Sequence, residues 1–118
     1  MDKKELRIGN IVGATIAGEI HGELAEYVIK SGADIDNSHW YFPTQITEKH
    51  LIRFGFKSKK HIYEKENAHG KIHFDVGTKS IFIEYDDTFV CVNEEEIEYV
   101  HQLQNAYFVL TSKELRHE

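Results

Sequence analysis

The stretch EEEIEYVHQLQNAYFVLTSKEL, residues 94–115, decides how the chain folds. On a helix turning about 100° per residue, Ile97, Val100, Leu103, Tyr107, Phe108 and Leu110 share about half the circumference. Glu94, Glu98, Gln102 and Asn105 occupy the rest. Asn93 suits an N-cap, Glu94, Glu95 and Glu96 meet the positive end of the dipole, and Glu96 stands at the capping-box position. Val92 and Ile97 complete a hydrophobic staple. The spacing therefore predicts a helix over about 94–111, with acids in water and aromatics on a core. Gln104 departs from this pattern, because it falls inside the apolar arc between Val100 and Phe108. A buried amide without partners costs roughly 1–3 kcal/mol, so Gln104 must bond to a sheet-edge backbone, a loop or a ligand. With His101 at the edge of the arc, it forms a candidate polar site.

Upstream, residues 60–92 read as strands. In KIHFDV, Ile72, Phe74 and Val76 alternate with Lys71, His73 and Asp75, and in SIFIEY Ile81, Ile83 and Tyr85 share a face. TFVCV follows and HIYEKE precedes, with turns at 67–70, 77–79 and 86–87, so an antiparallel meander of three or four strands is expected. QITEKHLIRFGF, residues 45–56, predicts a short helix over 48–54. Thr47 is its N-cap, Ile46 and Leu51 its staple, and Gly55 followed by Phe56 its Schellman-type stop. Pro43 keeps the preceding chain extended. NIVGATIAGEI and ELAEYVIKSG read as strands around turns at Gly18 and Gly22, and SGADIDNSH (31–39) as a polar loop. No linker, repeat or low-complexity tract divides the chain, so residues 1–118 are expected to form one domain. The expected class is α+β: an antiparallel, partly curled sheet packed by the long C-terminal helix (about 94–111) and the short helix (about 48–54).

The chain has 118 residues and a net charge of −6. That charge opposes non-specific binding to phosphate backbones or anionic lipid. Cys91 is alone and cannot form an internal disulfide. No apolar run approaches a membrane span and MDKKELRIGN lacks an apolar leader core, so a cytoplasmic protein is expected.

Three segments carry a resemblance: ELRIGNIV near the start, W…P…ITEKHLIRFGF in the middle and YVHQLQNAYFVLTSKEL near the end. They resemble a family of small uncharacterised proteins encoded in Bacteroidetes genomes, often in phage or other mobile-element regions. Its members look like LRIGN at the start, PIPLT-x-x-WLLKFGF in the middle and YVHQLQNLYFALTGEEL at the end. The C-terminal segment is the specific one. This chain departs at Ser112, where the family usually has a helix-stopping Gly, at His50, where it has Trp, and at Pro43-Thr44-Gln45, where it has Pro-Ile-Pro. The resemblance implies a bacterial or phage cytosolic origin and one fold, and it brings no catalytic residues or cofactor.

The remaining constellations are weighed against plain structural roles. Eight histidines occur, at 21, 39, 50, 61, 69, 73, 101 and 117, without HExxH or finger spacing. His61 and His73 could meet across a hairpin beside Asp75; exposed strand histidines are the simpler reading, and no metal or cofactor is assigned. Cys91 sits in an apolar strand pattern that suggests a buried structural thiol. Asp86–Asp87 suits a turn. Arg53, Lys57, Lys59 and Lys60 follow the short helix, with Trp40, Tyr41 and Phe42 upstream, a combination that single-stranded nucleic acid favours. Trp40 and Tyr41 equally suit a protein interface or a core. The balance leans away from catalysis and towards a binding or accessory module contacting a protein partner or a second copy. Nucleic-acid binding through the 53–60 patch is the alternative, and a small hydrolase or metal-binding protein the second alternative.

Overall fold

A computed structural model of the chain describes residues 1–15, 24–68, 70–93 and 95–117. The expected turns at Gly18 and Gly22, together with His21, His69 and Glu94, lie outside the described residues. The meander is present and has five strands in sequence order: β4 (Lys57–Lys59), β5 (Ile62–Asn67), β6 (Gly70–Asp75), β7 (Ser80–Tyr85) and β8 (Thr88–Cys91). A second, three-stranded antiparallel sheet has the order β2-β1-β3, from β1 (Ile11–Thr15), β2 (Leu24–Val28) and β3 (Tyr41–Phe42).

The turn chemistry sets the register. Asp86 and Asp87 both have positive φ, 44° and 64°, as a two-residue hairpin loop with right-handed strand twist requires. Gly70 has φ +144°, and a Cβ there would stand 2.5 Å from the Glu84 carbonyl oxygen. No other residue fits that approach between β6 and β7.

Helix α2 (Glu48–Arg53) follows the expected signals closely. Thr47 Oγ1 accepts the His50 N–H at 3.3 Å, and His50 Nδ1 accepts the Thr47 N–H at 3.1 Å, so a histidine completes the capping box. Phe56 N–H reaches Leu51 O and Gly55 N–H reaches Ile52 O, both at 3.0 Å, which closes the Schellman stop. The segment 31–39 is not a loop. Ser31 Oγ accepts the Asp34 N–H and caps a short helix, α1 (Gly32–Asp36), and Ser38–Trp40 adds a 3-10 turn. The Ser31-x-x-Asp34 spacing was the missed signal.

Helix α3 spans Val100–Thr111, so the expected start at 94 is six residues too early. Asn93 is not its cap. The Asn93 amide accepts from Ile81 N–H at 2.9 Å and donates to Glu95 O at 2.7 Å, which extends the β7–β8 pairing instead. The chain stays extended because Ile97 N–H bonds Lys79 O, Ile46 N–H bonds Glu98 O and Val100 N–H bonds Thr44 O. These long-range partners outweigh the dipole benefit of three adjacent glutamates, which repel one another. Gln102 replaces Glu96 in the capping role, its Oε1 accepting from the N–H groups of Glu98 and Tyr99.

The expected seal of helix on sheet is present. Val100, Leu103 and Tyr107 of α3, Leu51 of α2 and Phe54 just after it are buried with Ile72, Phe74, Ile81 and Ile83, and Leu110 packs at the margin. Ile11 joins this core, whereas its neighbour Val12 points into a second cluster with Leu6, Ile29 and Tyr41. The alternation of β1 thus divides two cores. Phe108 is an exception to the predicted arc: it is exposed at the arc's margin, under the Arg7 guanidinium 3.9 Å from its ring centre.

Candidate functional site

Gln104 is 1% exposed and fully bonded. Its Oε1 accepts the Ile11 N–H at 2.8 Å, and its Nε2 donates to Gly9 O and Leu115 O, each at 3.0 Å. The amide braces the first strand, the helix and the C-terminal segment together. Around it, Asn10 Nδ2 donates to Asn105 Oδ1 at 2.9 Å, and Asn105 Nδ2 to Glu5 O at 2.8 Å. Arg7 donates to Asn105 Oδ1 at 3.0 Å and pairs with Glu114. Arg7 and Asn10 of LRIGN and Gln104 and Asn105 of HQLQN, far apart in the chain, therefore belong to one network. Their first duty is structural, because each satisfies a group that burial would otherwise leave unpaired. Gln104 also forms part of the wall of an open cavity of about 410 Å³, beside Ile8, Ile11, Val28 and Ile29.

His101 and Gln104 line different cavities. His101 is buried between two other cavities of about 270 Å³ each. Among the described residues neither of its ring nitrogens has a hydrogen-bond partner, and its ring stacks on Tyr99. Burial pushes its pKa down to about 4, so the ring is neutral at pH 7. Tyr41 lines one of these cavities but is itself a core residue, stacked on Tyr27 at 5.3 Å between ring centres. Asp34 accepts from the hydroxyls of both tyrosines, and burial followed by that carboxylate pushes Tyr41 up to about 12. Its neighbour Trp40 is 59% exposed, with the His39 ring beside it in edge-on contact.

Arg53, Lys57, Lys59 and Lys60 are all exposed, at the end of α2 and along β4, the edge of the larger sheet. Tyr41 and Phe42 belong to the other sheet. Lys59 is partly neutralised by Glu64 at 2.9 Å. His61 lies 3.9 Å from Asp75, while His73 faces Glu64 and Glu84 at 3.9 and 3.8 Å. Among the described residues no three metal-ligating side chains converge. A hydroxyl–imidazole–carboxylate chain, missed in the sequence, runs from Thr47 through His50 to Glu26. The Thr47 hydroxyl is spent as the helix cap on an exposed turn and lines none of the cavities described here.

Strand β8 corrects the reading of Cys91 as a buried thiol: the cysteine is exposed, its Sγ 3.6 Å from Asn93 Oδ1. The apolar pattern TFVCV suggested burial, but β8 is the last strand of its sheet and all four of its residues are exposed. Phe89 is 57% and Val90 46% exposed, and Val92 follows. Val92 N–H bonds Ile81 O, so alternation turns the N–H and C=O of Phe89 and Cys91 away from β7. No helix of the described residues is long and apolar enough to cross a membrane. No family model matches the chain, and comparison with curated proteins and with solved structures gives no match either.

Proposed function

We propose that this chain is a non-enzymatic protein-binding module that docks an extended segment of a partner polypeptide along the free edge of β8. The resemblance carried by its three anchor segments supports an accessory role in a bacterial mobile element. The observation behind the docking reading is an unguarded edge. Sheet edges are ordinarily blunted by lysine, proline or a covering element. β4 follows that rule with Lys57 and Lys59, whereas β8 offers Phe89, Val90 and Cys91 and two outward backbone pairs. Added strands gain main-chain hydrogen bonds from such an edge and specificity from alternate side chains.

Charge selects the partner. β8 is flanked by Asp86 and Asp87 on one side and by Glu95 and Glu96 on the other. Antiparallel pairing of two copies about Val90 would bring residues 86–87 of one to the 93–96 end of the other, carboxylate against carboxylate. The edge therefore suits a foreign strand with an apolar centre and lysine or arginine at its ends.

The test uses a synthetic Val/Thr-alternating peptide with two lysines at each end, its acid-ended counterpart and an N-methylated version. Binding is followed by amide chemical shifts. The lysine-ended peptide is expected to shift Phe89 and Cys91, and the others are not. Cys91→Pro removes an outward donor without touching a β7 bond, so binding is lost while the melting temperature is kept. Binding that survives Cys91→Pro or N-methylation, or no binding by any peptide, overturns the reading.

A further inference from the structure

The 410 Å³ cavity differs from its neighbours in charge. Four other cavities among the described residues each have a carboxylate in their lining: Glu98, Glu95, Asp75 and Glu5 respectively. This one has none, although the chain carries 20 acids and a net charge of −6. Its lining instead includes Lys30, Arg116 and His117. Among the described residues neither Lys30 nor Arg116 has an ion-pair partner; Lys30 Nζ only approaches the Tyr27 ring, 5.6 Å from its centre. Glu26, which acts on His117, is bonded by His50. The walls are aliphatic, and two of them, Ile8 and Val28, stand exposed. Gln104 cannot turn towards a guest, because Ile11, Gly9 and Leu115 occupy its amide; it fixes the walls instead.

We infer that this cavity is a binding site for a small amphiphilic carboxylate, whose aliphatic body lies against Ile8, Ile11, Val28 and Ile29 and whose carboxylate meets Lys30 and Arg116. The volume falls in the range of about 300–1,000 Å³ usual for small-molecule sites. An apolar body covers the exposed isoleucine and valine, and the flat guanidinium fork of Arg116 matches a carboxylate better than it matches a hydroxyl. This site is separate from β8 and needs no partner strand.

Octanoate, octan-1-ol and octylamine, titrated into the full chain and followed by amide shifts and calorimetry, provide the test. Octanoate is expected to shift Gly9, Ile11, Ile29 and Lys30 and to bind about tenfold more tightly than the alcohol, with the amine weaker still. Lys30→Glu and Arg116→Glu lie on the surface and leave the melting temperature unchanged. Each is expected to weaken octanoate about tenfold and to leave octanol alone. Equal affinity for octanoate and octanol, indifference to both charge reversals, shifts located elsewhere, or no binding of octanoate would each overturn the assignment. None of these results bears on the β8 peptides.

Discussion

Replacing Gln104 by leucine tests the claim that one amide holds the two halves of the fold together. The volume is nearly conserved, so packing changes little. Three bonds of 2.8–3.0 Å disappear. Each is worth about 1 kcal/mol net, and the Ile11 N–H, buried behind the helix, is left unmet at about 1–3 kcal/mol. Burying leucine instead of an amide returns about 1 kcal/mol, so a net loss of about 3–5 kcal/mol is expected. Against a typical domain stability of about 5–15 kcal/mol, that is enough to move the urea midpoint far to lower denaturant. The assay is equilibrium urea unfolding followed by far-UV circular dichroism. Gln104→Glu serves as a companion: it can still accept from Ile11 but presents a carboxylate to the Gly9 and Leu115 carbonyls, and it should be at least as damaging. A loss below about 1 kcal/mol for Gln104→Leu, with an unchanged denaturant slope, would refute the bracing role.

Two further outcomes follow from single residues. The pKa of His101 is about 4 in the fold against 6.5 for an ordinary histidine, so between those values the unfolded chain binds a proton that the folded chain refuses. Stability therefore falls as pH drops from 6.5 towards 4; His101→Leu breaks no hydrogen bond and should flatten that limb of a melting-temperature profile, an outcome an unchanged slope would contradict. Ser112 ends α3 with φ 58° and ψ 21°, a left-handed conformation that costs a side chain about 1–2 kcal/mol. Ser112→Gly should stabilise the protein by about 0.5–1 kcal/mol after the extra flexibility of unfolded glycine is counted, measurable by the same urea unfolding.

Much of this fold was legible because local chemistry and tertiary structure agree. The meander could be read from period-2 alternation in KIHFDV and SIFIEY, and α2 from Thr47, Gly55 and Phe56, since caps and turns act within a few residues. The buried face of α3 was legible for the same reason, and so was the need for Gln104 to find partners.

Sequence alone determined the strands of the meander, the short helix after Thr47 and the helical run that ends at Thr111, that Gln104 must be satisfied, and that the chain is acidic. Only tertiary structure decided where α3 begins, because Lys79, Thr44 and Ile46 supply distant backbone partners that keep residues 95–99 out of the helix against their helical signals. It also decided that the TFVCV strand lies at an edge, so that an apolar pattern identical to that of a buried strand leaves Phe89, Val90 and Cys91 in water. And it decided the Gln104 network and the acid-free cavity, which join residues 8–11 to residues 104–117. Periodicity reports which face of an element is apolar; which neighbours cover that face depends on contacts far apart in the chain, and no local pattern encodes them.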